Sequence, residues 1–179
     1  MDCRTERYHL LWAVDRSARY HSRRQAFFER WHRVTAALGV FFGTSAAATA
    51  LNGPMHIWAV IPALIVAVAS TFDLVVGTAT MARTHAELRR RFLMLQVKIE
   101  RSSEAPAQSE IQEWTSERLI IEADEPPIYV ALDLLCENEV AKARGDELAK
   151  SGTDAKRAAV TRWQSLTAQW LHWQSLPEV

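Results

Sequence analysis

The sequence predicts an all-α membrane protein: a two-transmembrane antiparallel helical hairpin extended into a cytoplasmic helical bundle. Three observations carry this expectation. Two apolar runs without Asp, Glu, Lys or Arg, residues 34–51 and 55–72, flank the turn-forming Asn52-Gly53-Pro54. Arginines crowd both outer flanks, and the connecting loop has no Lys or Arg. Beyond the flanks the chain is polar and helix-patterned, which brings mean hydropathy down to −0.13 despite the apolar centre.

Composition narrows the function classes. The 179 residues hold 21 basic and 21 acidic side chains, so net charge is zero and no global field favours nucleic acid. The charge is unevenly placed: basic residues border the apolar centre, and acidic residues dominate 104–147. Cys3 and Cys136 have no CxxC or Cys/His spacing suited to zinc, so neither a metal nor a cofactor is expected. The first thirty residues are arginine-rich without an apolar h-region, so no cleavable signal peptide is read there.

Four segments follow in chain order. Residues 1–33 form a cytoplasmic N-terminal helix, 34–79 the transmembrane hairpin, 80–101 a cytoplasmic extension of the second helix, and 102–179 a cytoplasmic helical region. Each apolar run of about 18 residues spans about 27 Å as a helix, close to the hydrocarbon core of a bilayer. A buried hairpin of a soluble bundle is the competing reading, but neither run has a polar face for water. Arg16, Arg19, Arg23, Arg24, Arg30 and Arg33 precede the first span; Arg83, Arg89, Arg90, Arg91 and Lys98 follow the second. The positive-inside rule then places both termini in the cytoplasm, with Trp31 and Trp58 at the interfaces.

Small residues recur every fourth position on both runs, at Gly39, Gly43 and Ala47 and at Ala59, Ala63 and Ala67. Such faces let helices approach closely, either within one hairpin or between subunits. Pro62 predicts a kink in the second span.

A turn centred on Gly53 sets a register in which residues equidistant from it meet. Arg33 then faces Asp73, Arg19 faces Glu87, and Asp15 faces Arg91. Both helices would therefore continue together into the cytoplasm, from about Tyr8 and to about Lys98. Asp73 near the hydrocarbon boundary needs a partner such as Arg33 or, on a functional reading, lies on an ion path. His21 and His85 are also equidistant from Gly53 and read as satisfied structural histidines rather than metal ligands.

The last 78 residues read as helices around breaks. Residues 102–108 are a linker, and Ile111, Trp114, Arg118 and Ile121 share one helix face. Asp124-Glu125-Pro126-Pro127 predicts the start of a helix that buries Ile128, Leu132 and Leu135. Glu139 continues that stripe and is expected to meet an arginine of the long pair, as the acidic half docks on the basic helices. Residues 145–154 predict a break, and Ala159, Trp163, Leu166, Trp170 and Trp173 a packing seam. A catalytic role for Cys136 lacks any nucleophile motif, so no enzyme is expected.

The pattern resembles the bacterial SLATT family, two-transmembrane proteins associated with SMODS nucleotidyltransferases and SLOG domains. The matching residues are Asp15-Arg16, Arg19-Tyr20-His21, Arg23-Arg24-Gln25, Arg83-x-His85, Ile121-Glu122-Ala123-Asp124-Glu125-Pro126-Pro127 and Cys136-x-Asn138-Glu139. The resemblance implies an oligomeric pore-forming or membrane-disrupting effector of antiviral defence in the bacterial inner membrane. Its implied partners are the lipid bilayer, further copies of the chain, and a nucleotidyltransferase-derived second messenger or a sensor protein. The alternative is a non-conducting membrane anchor or assembly scaffold. Neither reading involves nucleic acid.

Overall fold

Periodic burial and local capping account for the helices of the computed structural model, which describes residues 2–52, 57–150, 159–171 and 173; residues 45–52, 57–59 and 146–150 are described as helical backbone only. The elements are α1 (Cys3–Asn52), α2 (Ile57–Val76), α3 (Thr78–Glu100), α4 (Gln108–Glu122), α5 (Val130–Lys150) and α6 (Arg162–Thr167). The chain clusters into two units, Met1–Arg23 with His85–Val179, and Arg24–Thr84.

In the first unit the apolar positions follow helical spacing. Leu10, Leu11, Val14 and Ala18 of α1 pack with Leu88, Phe92, Leu95 and Ile99 of α3 and with Ile111, Trp114 and Ile121 of α4. Steps of three, four and seven put these side chains on one face of each helix. A second cluster joins Tyr20 of α1 to Ala131, Leu132 and Cys136 of α5 and to Ala168.

Helix ends in this unit are closed by side chains. Ser102 Oγ donates to Ile99 O at 2.7 Å, and Arg7 Nη2 donates to the same carbonyl at 3.1 Å. These donors satisfy a carbonyl that the last turn of α3 leaves open. At the start of α4 the Glu110 carboxylate accepts from Ala107 N at 2.8 Å. Thr161 and Gln164 cap α6 reciprocally: Gln164 N donates to Thr161 Oγ1 at 3.2 Å, and Thr161 N donates to Gln164 Oε1 at 2.9 Å.

Many of the described apolar residues of the second unit are exposed. Val40 and Phe41 are 70% exposed, Leu74 83% and Val75 79%. Its internal contacts include aromatic ones: Trp31 meets Phe72 edge-on with centroids 5.6 Å apart, and the Arg24 guanidinium lies 4.6 Å over the Phe28 ring. Gly77, with φ of 63°, separates α2 from α3 and is the only described residue with positive φ. Hydrogen bonds of 2.9 Å from Gly77 N to Asp73 O and from Met81 N to Gly77 O keep the ladder on both sides of the joint. Glycine occupies it because the left-handed region is costly for other L-residues.

These observations correct the expected membrane hairpin. Among the described residues one helix, Val60–Glu100, is long and apolar enough to cross a membrane by length and composition, and two were expected. The first predicted run is the end of a 50-residue α1 whose average composition is polar. A hairpin with both termini on one side needs two spans, so the two-transmembrane fold class and the inner-membrane localisation with both termini cytoplasmic are not supported. The lipid bilayer as partner, the pore-forming oligomeric effector of antiviral defence, and the membrane anchor or scaffold rested on that hairpin and fall with it. Of the cations read as orientation signals, Arg16, Arg19, Arg23, Arg90, Arg91 and Lys98 are engaged in ion pairs within the chain. The turn residues Gly53 and Pro54 lie outside the described residues.

Three expectations for the C-terminal half are also corrected. Residues 124–129 do not start a helix; α5 begins at Val130, because Glu125 turns toward His21 and Tyr129 N–H donates to Tyr20 Oη at 3.0 Å. Gly145 does not end α5, which continues to Lys150. Most of the tryptophan seam faces outward: Trp163, Leu166 and Trp170 are exposed while Gln164 and Ala168 are buried, and of the seam Trp173 packs partly buried against the second cluster. Residues 151–158 lie outside the described residues.

Candidate functional site: a buried histidine pair within an ionic network

The centre of the first unit is polar. His21 of α1 and His85 of α3 are both essentially fully buried, with their Nδ1 atoms 2.9 Å apart. His21 Nε2 lies 3.0 Å from Glu125 Oε1, whose side chain is 7% exposed. Phe92 stacks on the His21 ring at 5.6 Å between centroids, and Tyr20 meets the same ring edge-on at 5.3 Å. The cluster therefore ties three chain segments together: α1, α3 and the strap of residues 124–129 that leads into α5.

Its protonation follows from its donors and acceptors. An ionised Glu125 can only accept, so His21 Nε2 carries a proton. Between the two Nδ1 atoms one proton fits, donated by either ring. Among the described residues no group of three or more His, Cys, Asp or Glu side chains is placed to hold a metal ion, because Glu125 lies at the far nitrogen of His21.

Ion pairs surround this core. On the α4–α5 side Arg16 pairs with Asp133 at 3.3 Å, Arg91 with Asp124 at 2.5 Å, and Lys98 with Glu113 at 2.6 Å and Glu117 at 3.0 Å. Arg23 pairs with Glu139, the arginine contact expected for that carboxylate. Arg144 of α5 reaches back to Asp15 at 3.0 Å and to Glu100. The hydrogen bond from Arg144 holds the Glu100 carboxyl below its usual range, burial opposing it. Burial raises the Asp133 carboxyl, only partly offset by Arg16. A groove of about 850 Å³ runs along this edge, lined by residues that include Arg7, Asp15, Arg19, Glu100 and Arg144. Two of its cations are neutralised by one carboxylate, since Asp15 holds both Arg19 and Arg144, while Arg7 donates to Ile99 O.

The predicted charge pairs find other partners. Arg19 Nε bonds Asp15 at 2.8 Å on its own helix, Glu87 bonds Arg90 at 2.6 Å, and Arg91 goes to Asp124. Neighbours three or four positions along a helix are within reach without bending either backbone, which favours them over facing residues. Arg33 Nε donates to Glu29 O at 3.2 Å, and Asp73 accepts from Thr78 and lies 3.3 Å from His32 Nδ1. The pair equidistant from Gly53 that does meet is His21 with His85.

The small-residue positions are open. A Cβ added at Gly39 or Gly43 would meet nothing within 4 Å, and Ala63 and Ala67 are exposed. The side chains of Ala47 and Ala59 lie outside the described set. Cys136 is fully buried, and burial pushes its thiol up to about 12, which removes the thiolate a nucleophile needs. Sequence reasoning paired the two histidines but missed Glu125 as their third member, because a helix-start motif explained that residue locally. No family model matches the chain, and no curated protein or solved structure is similar to it.

Proposed function

We propose that the unit of Met1–Arg23 and His85–Val179 is a non-enzymatic regulatory module in which the acidic α4–α5 region is a releasable cover on the basic α1–α3 pair. The observation that carries this reading is the one-sided ion pairing. Arg16, Arg23, Arg91 and Lys98 each meet a carboxylate from 113–139. Most of these groups are partly solvent-exposed, and such pairs contribute about 0–1 kcal/mol each. They are weak singly and exchangeable as a set. Displacing the cover presents several cations along one edge, which suits an acidic segment of a partner protein.

Membership of the SLATT family is part of the same proposal, without the membrane-disrupting role. It is supported by the placing of the resembling residues in one network: Asp15 with Arg19, His21 with Glu125, Arg23 with Glu139, and Tyr20 in one cluster with Cys136. A scattered pattern becomes a set of contacts.

The test uses the full chain with Glu113→Lys, Glu117→Lys and Glu139→Lys combined. Binding of a polyglutamate peptide is expected to tighten at least about tenfold and to weaken with salt. Faster amide exchange over 108–140 without any gain in peptide affinity sinks the proposal.

A further inference from the structure

We infer that the His21–His85 pair is a single-proton latch: the closed fold holds one proton between the two rings, and a second proton opens the strap of residues 124–129. The gap between the Nδ1 atoms is 2.9 Å. One N–H fits there, pointing at the other nitrogen's lone pair. Two imidazolium rings would point two N–H groups at each other in that gap, with both rings buried. The closed arrangement is therefore incompatible with the doubly protonated pair, whereas exposed histidines both accept protons below about pH 6.5.

Residues 124–129 connect α4 to α5 without helix. Asp124 N and Glu125 N donate to Ile121 O and Glu122 O at the end of α4, and the rest of the strap is held by Glu125 on His21, by Tyr129 N–H on Tyr20 Oη with its ring against the second cluster, and by Asp124 on Arg91. Phe92 fixes the ring of His21 from α3, and the histidines themselves sit on long helices. The charged and titratable groups around the latch are Arg16, Arg19 and Tyr20 on α1, Arg91 on α3, Glu122 with its partner Arg118 on α4, Asp124 and Glu125 on the strap, and Asp133 on α5. Glu125, Glu122 and Asp133 also line a cavity of about 430 Å³ with Arg16, Tyr20 and Pro126. Opening the strap would widen that cavity, which already opens to solvent, and carry the Glu125 carboxylate away from His21.

The sign is fixed by proton counting. Below about pH 6.5 the open state binds more protons than the closed state, so opening becomes more favourable as pH falls, approaching about tenfold per pH unit near pH 5. No partner protein enters this step, so it stands or falls separately from peptide binding.

Amide exchange of the full chain, corrected for the intrinsic pH dependence of exchange, reads the opening directly. The Tyr129 amide is expected to exchange about eightfold faster at pH 5.0 than at pH 6.5. In His85→Asn the side-chain amide can donate to or accept from His21 Nδ1, so the pH response should shrink below about threefold. Equal protection of wild-type Tyr129 at both pH values, or an undiminished response in His85→Asn, overturns the latch. Should that variant fail to fold, ¹⁵N spectra of the wild-type histidine rings decide. Both rings imidazolium at pH 5.0 with Tyr129 still protected would also overturn it; one shared proton until Tyr129 exchanges supports it.

Discussion

The two units use α1 and the helices after residue 57 in opposite ways. In the unit of Met1–Arg23 and His85–Val179, apolar side chains are buried at helical spacing and charged ones pair at the margins. In Arg24–Thr84 many of the described apolar side chains are exposed, with Leu74 and Val75 among the most exposed large hydrophobics. Apolar content does not by itself make a core. Burial needs partners at matching positions, and the amphipathic stripes of the first unit supply them where an all-apolar helix does not specify a face.

The burial that sets the first unit apart can be tested most sharply at the two cysteines, both of which lie in it. Cys136 is sealed in the first unit, whereas Cys3 is half-buried with its thiol on Gln108. At pH 8 a thiol pushed up to about 12 holds far less thiolate than an ordinary one, so disulfide-reagent labelling should be about a thousandfold slower at Cys136. Comparable rates at the two thiols would mean that the interior opens freely.

Truncation gives the next largest effect. Phe92 is completely buried between the helices and stacks on His21, so Phe92→Ala should cost about 3–5 kcal/mol in denaturant unfolding of the chain. Val68→Ala on the exposed face of α2 should change the same measurement by less than about 0.5 kcal/mol. A large loss at Val68 would show that the second unit has a core of its own.

Glycines sharpen the comparison within Arg24–Thr84. Gly77→Ala forces a Cβ into positive φ and should destabilise by about 1 kcal/mol or more. Gly43→Ala meets open space in α1 and should gain up to about 1 kcal/mol from helix propensity. Opposite signs in thermal unfolding are the expected result.

The smallest effect concerns Asp133. Burial raises its folded pKa, so the neutral form is favoured. Its contribution is complete below the unfolded value and is lost as pH rises through the folded one. Asp133→Asn should therefore stabilise slightly near pH 7, and the gain should disappear in acid. A loss that grows with pH would show that the pair with Arg16 outweighs burial.

The sequence by itself determined most of the helical content and two polar contacts. The spacing of Ile111, Trp114 and Ile121 foretold the buried face of α4, and counting outward from Gly53 matched His21 with His85. Glu139 on the stripe of α5 foretold its arginine. Periodicity and symmetric spacing are local or additive properties, so they survive in a string of letters. What only the tertiary structure decided were choices among competing partners. Asp15 had an arginine available on its own helix, one expected on the facing helix, and one on α5; it takes Arg19 and Arg144. Glu125 could cap a helix or accept from a histidine, and the buried imidazole won, because an unpaired nitrogen inside costs more than an uncapped helix end in water. Hydropathy could measure how apolar the middle of the chain is, but not where its surface ends up, since that depends on which neighbours arrive to cover it.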